Sequence, residues 1–102
     1  MMSATKAMEI TLENITDFEK KAQEFIDSII SPKLNDAILA SARDLRTNTN
    51  LVLNKNDCSD FTYINSKQVY FVRCLDKYIR EQKFKDIKIE PTKDYINISF
   101  RW

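Results

Sequence analysis

Residues 86–102 read DIKIEPTKDYINISFRW. Apolar residues alternate with period two on both sides of PTKD. Ile87 and Ile89 share one face of the first run. Ile96, Ile98, Phe100 and Trp102 share one face of the second, with Tyr95, Asn97, Ser99 and Arg101 on the other. Successive side chains of a strand point to opposite faces, so the pattern predicts two half-buried strands. Pro91 suits the second position of a type I turn, which needs no positive φ and so fits a chain without glycine. The expectation is a β-hairpin whose apolar face packs on a helix.

Working back from the hairpin, the period changes. Residues 66–84, SKQVYFVRCLDKYIREQKF, place Phe71, Val72, Leu75, Tyr78 and Ile79 on one side of a helix, with Cys74 beside them and Ser66 as its N-cap. NKNDCSDFTYINS (54–66) reads as a loop, and NLVLN (50–54) as a short buried strand. Two helices precede these. In TDFEKKAQEFIDSIIS (16–31), Phe18, Ala22, Phe25, Ile26, Ile29 and Ile30 recur at helical spacing. Thr16 and Glu19 match a capping box. The apolar phase runs back through Ile15 and Leu12, which makes Thr11 a rival start, and a short strand over MEITL is a further alternative. In SPKLNDAILASARDLR (31–46), Ser31 caps, Pro32 takes the first helical position, and Leu34, Ile38, Ala42 and Leu45 form a stripe that TNTN ends.

The sequence therefore predicts an α+β fold. Two N-terminal helices, a short strand, a third helix and a C-terminal β-hairpin form a small, mostly antiparallel sheet packed on helices. A chain of 102 residues suits one domain, 1–102, with residues 1–7 flexible.

Composition excludes chemistry more than it selects it. The chain has no glycine, where about seven would be usual. Loops that cradle phosphate need glycine for close backbone approach, so a Walker loop or dinucleotide fingerprint is excluded. It has no histidine, which removes the commonest general base and zinc ligand. Carboxylate pairs among Asp57, Asp60, Asp76 and Asp94 remain conceivable, but a carboxylate dyad has no local sequence signature, and polar surface is the simpler reading. Asn54, Asn56, Asp57 and Asp60 offer oxygen ligands, but their loop lacks the glycine and distal glutamate of a calcium loop. Cys58 sits among acids that disfavour its thiolate, and Cys74 reads as a small core residue. No catalytic residue, metal ligand or cofactor is expected, and the protein reads as a non-enzyme.

With 16 basic and 15 acidic residues, net charge gives no overall attraction to nucleic acid or anionic membrane. MMSATKAMEI lacks the apolar core of a secretory leader, and no run is long enough to span a bilayer. An intracellular location is expected, in the cytoplasm of a cell or infected host, or within a virion. The leading expectation is a protein partner of unknown identity, with a homodimer through Phe18, Ala22, Phe25 and Ile29, whose spacing fits a helical seam. The alternative is nucleic acid. Arg73, Lys77 and Arg80 form a basic stripe on the third helix, to which Lys67 and Lys88 would add.

The parts from Leu34 onward also resemble small proteins of phages and large DNA viruses. In that pattern an alanine-containing helix (ILASARDL) leads to a short strand (NLVL). A helix carrying L…Y…F (LDKYIREQKF) and a hairpin closing on I-S-[WF] follow (DIKIE, INISF). Many such proteins have no assigned activity, so the resemblance implies a viral setting and no catalytic residues. The usual glycines of the pattern are replaced here, as at Lys83.

Overall fold

A computed structural model describes residues 1–57, 63, 64 and 66–102. Its dominant element is one unbroken helical run from Ala4 to Arg43. This comprises α1 (Ala4–Phe25), a π-helical turn (Ile26–Ile30) and α2 (Ser31–Arg43). At ~1.5 Å rise per residue such a run is roughly 60 Å long, which matches the molecule's longest dimension of 60 Å.

The helix starts earlier than the sequence reading placed it. Ser3 is the N-cap, its Oγ accepting from the Lys6 N–H at 3.2 Å, so α1 takes in residues 4–7. Neither Thr11 nor Thr16 caps. Their hydroxyls donate to the carbonyls of Ala7 and Leu12, one turn back, as threonine does inside a helix.

The expected break at Ser31 is a bulge instead. In an α-helix, Pro32 would leave the Ser28 carbonyl without its donor. The chain widens just before it, and the Ser31 N–H reaches back five residues to the Ile26 carbonyl. Ser31 itself has helical angles, φ −56° and ψ −47°, so it does not cap.

β1 (Asn48–Asn54), a short 3-10 turn (Lys55–Asp57), α3 (Gln68–Glu81), β2 (Lys85–Pro91) and β3 (Tyr95–Arg101) complete the fold. Ser66 does not cap α3. Its hydroxyl donates to the Tyr63 carbonyl at 2.6 Å, and Lys67 occupies the cap position. The sheet is antiparallel with order β1-β3-β2, so the C-terminal strand is central. β1 is an edge strand with one buried side, where Thr49 and Leu53 point inward and Val52 is exposed. Pro91 belongs to β2, opposite Ile96. The turn falls one residue later, where Thr92 and Tyr95 bond each other through N–H, hydroxyl and carbonyl groups at 2.7–3.1 Å.

The helices cover one face of the sheet, α2 against β1 and α3 against β2 and α1. Between these layers lie Phe18, Phe25, Ile26, Ile30 and Leu34, then Phe71, Leu75 and Ile79, then Leu53, Ile96, Ile98 and Phe100. Each large side chain sealed there contributes about 2–3 kcal/mol. Trp102 continues the inward row. Its N–H bonds the Thr47 carbonyl at 2.9 Å, and its ring meets Phe84 edge-on at 6.1 Å, so the pattern ends on an aromatic that closes the core's rim.

Without glycine, positive φ falls, among the described residues, on Leu45, Lys83 and Asp86. Leu45 follows α2 in a Schellman motif, with Leu45 N–H to Ala42 O at 3.0 Å and Arg46 N–H to Ser41 O at 2.9 Å. It is 93 % exposed and so does not join the α2 stripe. Lys83 ends α3 in the same left-handed conformation, and Asp86 marks a bulge in β2.

Candidate functional site

The expected basic stripe is present but divided. Arg73, Lys77 and Arg80 are all exposed on the side of α3 away from Phe71, Leu75 and Ile79. Arg80 is held by Asp76, with contacts at 3.1 and 3.3 Å, and this pairing holds its proton even more firmly than usual. The Arg73 guanidinium lies 5.9 Å from the Tyr70 ring centre. Arg73 and Lys77 also line a shallow groove of about 380 Å³ between α1 and α3, where Glu19 faces them. Lys67 lines a different groove, beside Asp17 and Glu24 of α1. Lys88 is on the far face of the sheet, in register with Ser99 and 3.6 Å from Glu90. The five cations therefore do not form one surface.

The residues expected to seal a homodimer are placed inside the chain. Phe18, Ala22 and Phe25 are buried, and Ile29 packs partly against the same core. Phe25 meets Phe71 edge-on at 5.9 Å, and Phe18 meets Tyr63 and Tyr70 at 5.9 and 6.4 Å. The apolar width contributed by Ile26 and Ile30 is the signal that this part of the stripe serves the chain's own core.

Two further places could hold chemistry. A cleft of about 580 Å³ at the α2–β1 end is lined by Asp44, Arg46, Asp86 and Arg101, two acids and two bases. Asp86 pairs with Arg101 there. Buried Thr49 receives the Ser41 hydroxyl at 3.0 Å and donates to the Ala37 carbonyl at 3.2 Å. Its hydroxyl is thus hydrogen-bonded both as donor and as acceptor, and the charged side chains of the cleft balance. Cys74 lies between α3 and α1, half-buried and packed against the core. Burial, with the nearby Glu19 carboxylate, pushes its thiol up, while Lys77 opposes this. A proton held that firmly disfavours nucleophilic work. Cys58, Asp60 and the side chain of Asp57 lie outside the described residues. Among the described residues no three metal-ligating side chains converge, and no helix is long and apolar enough to cross a membrane.

The outstanding surface is the first part of α1. From Met1 to Asn14 every residue is exposed except Ile10, which is half-buried. Met8 and Leu12 are 59 % and 56 % exposed. Ala4, Met8, Thr11, Leu12 and Ile15 fall within an arc of about 100° on the helix, in phase with buried Phe18, Ala22 and Phe25. Lys6, Glu9, Glu13 and Asp17 lie on the opposite side, with Lys6 and Glu9 paired at 3.8 Å. A helix begun at Thr11 or Thr16, as expected from the sequence, leaves the arm out. The signal was the apolar phase through Ile15 and Leu12, which continues to Met8 and Ala4.

Comparison with protein-family models, with curated proteins and with solved structures finds no match to this chain.

Proposed function

We propose that this is a non-enzymatic protein-interaction module that engages its partner through the helical arm Ala4–Ile15. The observation that carries the reading is the uncharged face of that arm, with Met8 and Leu12 both more than half exposed. The arm extends a helix already formed at Phe18 but, exposed from Ala4 to Asn14 except at Ile10, has little tertiary packing to stabilise it. Thr5, Ile10, Thr11 and Asn14 are modest helix formers, which weakens it further. Burial of the apolar stripe against a protein surface supplies the missing stabilisation. The charged residues stay on the solvent side, so docking costs no charge desolvation. The absence of histidine and the charge-balanced clefts fit a binding role better than a catalytic one. The resemblance to small viral proteins fits such a role but adds no chemistry of its own.

Photo-crosslinking tests this reading. A photoreactive residue at Leu12, in the cells that make the protein, should trap a protein chain, and the same residue at Glu13 should not. Equal or absent crosslinking at both positions would overturn it.

A further inference from the structure

We infer that the free edge of β1 is a second interaction surface, separate from the arm, which takes an extended, uncharged segment of a partner protein as an added strand of the sheet.

Backbone pairing decides which groups face outward. The Trp102 N–H bonds the Thr47 carbonyl and the Lys55 N–H bonds the Asp94 carbonyl, and both pairs continue the β1–β3 register. Bonded pairs recur at every second residue of an antiparallel ladder, so Thr49, Leu51 and Leu53 commit their backbone groups to β3. The N–H and C=O groups of Asn48, Asn50 and Val52 therefore point away from the sheet. The three residues are exposed, and among the described residues no other element bonds these groups. Pairing with β3 is regular along β1, which has no bulge, proline or charged residue from Asn48 to Asn54.

The opposite edge of the sheet is closed. There the Thr92 N–H bonds the Tyr95 carbonyl, so the same parity turns the backbone of Ile89 and Pro91 outward. Pro91 has no N–H to offer, Asp86 bulges the strand, and Lys85, Lys88 and Glu90 add charge. Those are the devices by which edge strands refuse an added strand, and β1 has none of them.

The surroundings of β1 specify the occupant. α2 lies under β1, tied to it by the Ser41–Thr49 and Thr49–Ala37 hydrogen bonds. Ala37, Ala40, Ser41 and Asp44 form one stripe of α2 and line the cleft of about 580 Å³ that also takes in Asn48, Thr49 and Asn50. An added residue opposite Thr49 points its side chain to the α2 side of the sheet, where the two alanines leave room for a small or β-branched group. The charges of the cleft balance, so nothing in it selects a charged segment. A second copy of the chain does not fit. It would bring its own α2 beneath its own β1, with the paired strands only about 4.8 Å apart, whereas packed helices stand roughly 8–10 Å apart. The occupant is thus an extended segment with no helix beneath it, held chiefly by backbone hydrogen bonds.

The experiment uses the purified full chain. Amide exchange in the free protein, followed by NMR, should be at least about ten-fold faster at Asn48, Asn50 and Val52 than at Leu51 and Leu53. Phage-displayed random peptides of about eight residues, panned on the chain, should yield uncharged sequences rich in valine, isoleucine and threonine. A synthetic peptide of the selected sequence should slow exchange at Asn50 and Val52. Asn50→Pro removes a donor that β3 does not use and should abolish binding, while Asn50→Ser should retain it. Ala40→Arg fills the cleft from an exposed position and should weaken binding about ten-fold or more, which keeps the test decisive if the proline variant unfolds. Slow exchange at Asn50 and Val52 in the dilute free chain overturns the inference, because the edge is then already covered. Protection that rises with protein concentration marks a second copy and also overturns it. So do peptides that bind Asn50→Pro and Ala40→Arg as well as the wild type, or a failure to select any peptide. Binding lost in Leu12→Glu but kept in both edge variants belongs to the arm, which refutes the β1 edge and leaves the proposed function standing.

Discussion

The hydroxyl of Tyr78 donates to the Ser31 Oγ at 2.8 Å, joining α3 to the point where the π turn passes into α2. The bond explains what Ser31 does in place of capping. Its N–H is already committed to Ile26, so its side chain is free to accept from the neighbouring helix. A partly buried neutral hydrogen bond contributes about 1 kcal/mol. Tyr78→Phe and Ser31→Ala should each lower stability by about that much, and the double variant should cost little more than either alone. Chemical denaturation of the four proteins measures the coupling, and simple additivity would contradict a direct bond.

Leu45 sits at φ 64° in the position where helices usually place glycine. A side chain with a Cβ costs about 1–2 kcal/mol in that conformation, while glycine forfeits roughly 0.5–1 kcal/mol of backbone entropy. Leu45 is almost fully exposed, so its removal loses little packing. Leu45→Gly should therefore raise stability by about 0.5–1 kcal/mol, read as a higher denaturation midpoint at unchanged slope. A lower midpoint would show that Leu45 makes a contact that matters.

The hairpin was legible because period two is unambiguous where isoleucine alternates with polar residues, as at Ile96 and Ile98. The α+β class followed from it. Helix ends were less legible, for a definite reason. A capping serine or threonine has the same local sequence as one that bonds back along a helix, as Thr11 and Thr16 do. Pro32 likewise suits a first helical turn or a bulge, and the choice depends on whether the preceding residues can stay helical. The edge position of β1 and the central position of β3 follow from long-range pairing that no local window contains. The same holds for the division of the basic stripe. Lys88 and Arg73 share a sign and a neighbourhood in sequence, but the sheet separates them.

Cys74 gives a test of the α1–α3 groove. Burial is the first cause of its raised pKa, Glu19 adds to it and Lys77 opposes it. The folded chain therefore keeps the thiol proton to higher pH than the unfolded chain does. Its contribution to stability is complete below the ordinary thiol range and is lost as pH rises through the raised folded value. In a Cys58→Ser background, alkylation near pH 8.5, about the free thiol pKa, should be slower in the folded protein than in urea. Glu19→Gln should speed it and Lys77→Gln should slow it. Rates insensitive to both substitutions would place Cys74 away from these charges.

Nucleic-acid binding through α3 is the alternative that the geometry disfavours, and it can be tested directly. Arg73, Lys77 and Arg80 project away from the core, so replacement of all three with glutamine should leave the fold intact. Arg80 is already engaged by Asp76, and Arg73 lies over Tyr70. Phosphate would have to displace the first contact and approach past Glu19 and Glu81, which line the groove with Lys77. Lys88, on the opposite face of the sheet, cannot add to the same footprint. The wild type should therefore bind duplex and single-stranded DNA only weakly at about 150 mM salt, where the Debye length is roughly 8 Å. The triple variant should differ little from it, and salt dependence should be shallow for both, because few counterions are released. Submicromolar binding that the triple substitution abolishes, with a steep salt slope that it flattens, would make α3 a phosphate-contacting surface and reverse the ranking of the two readings.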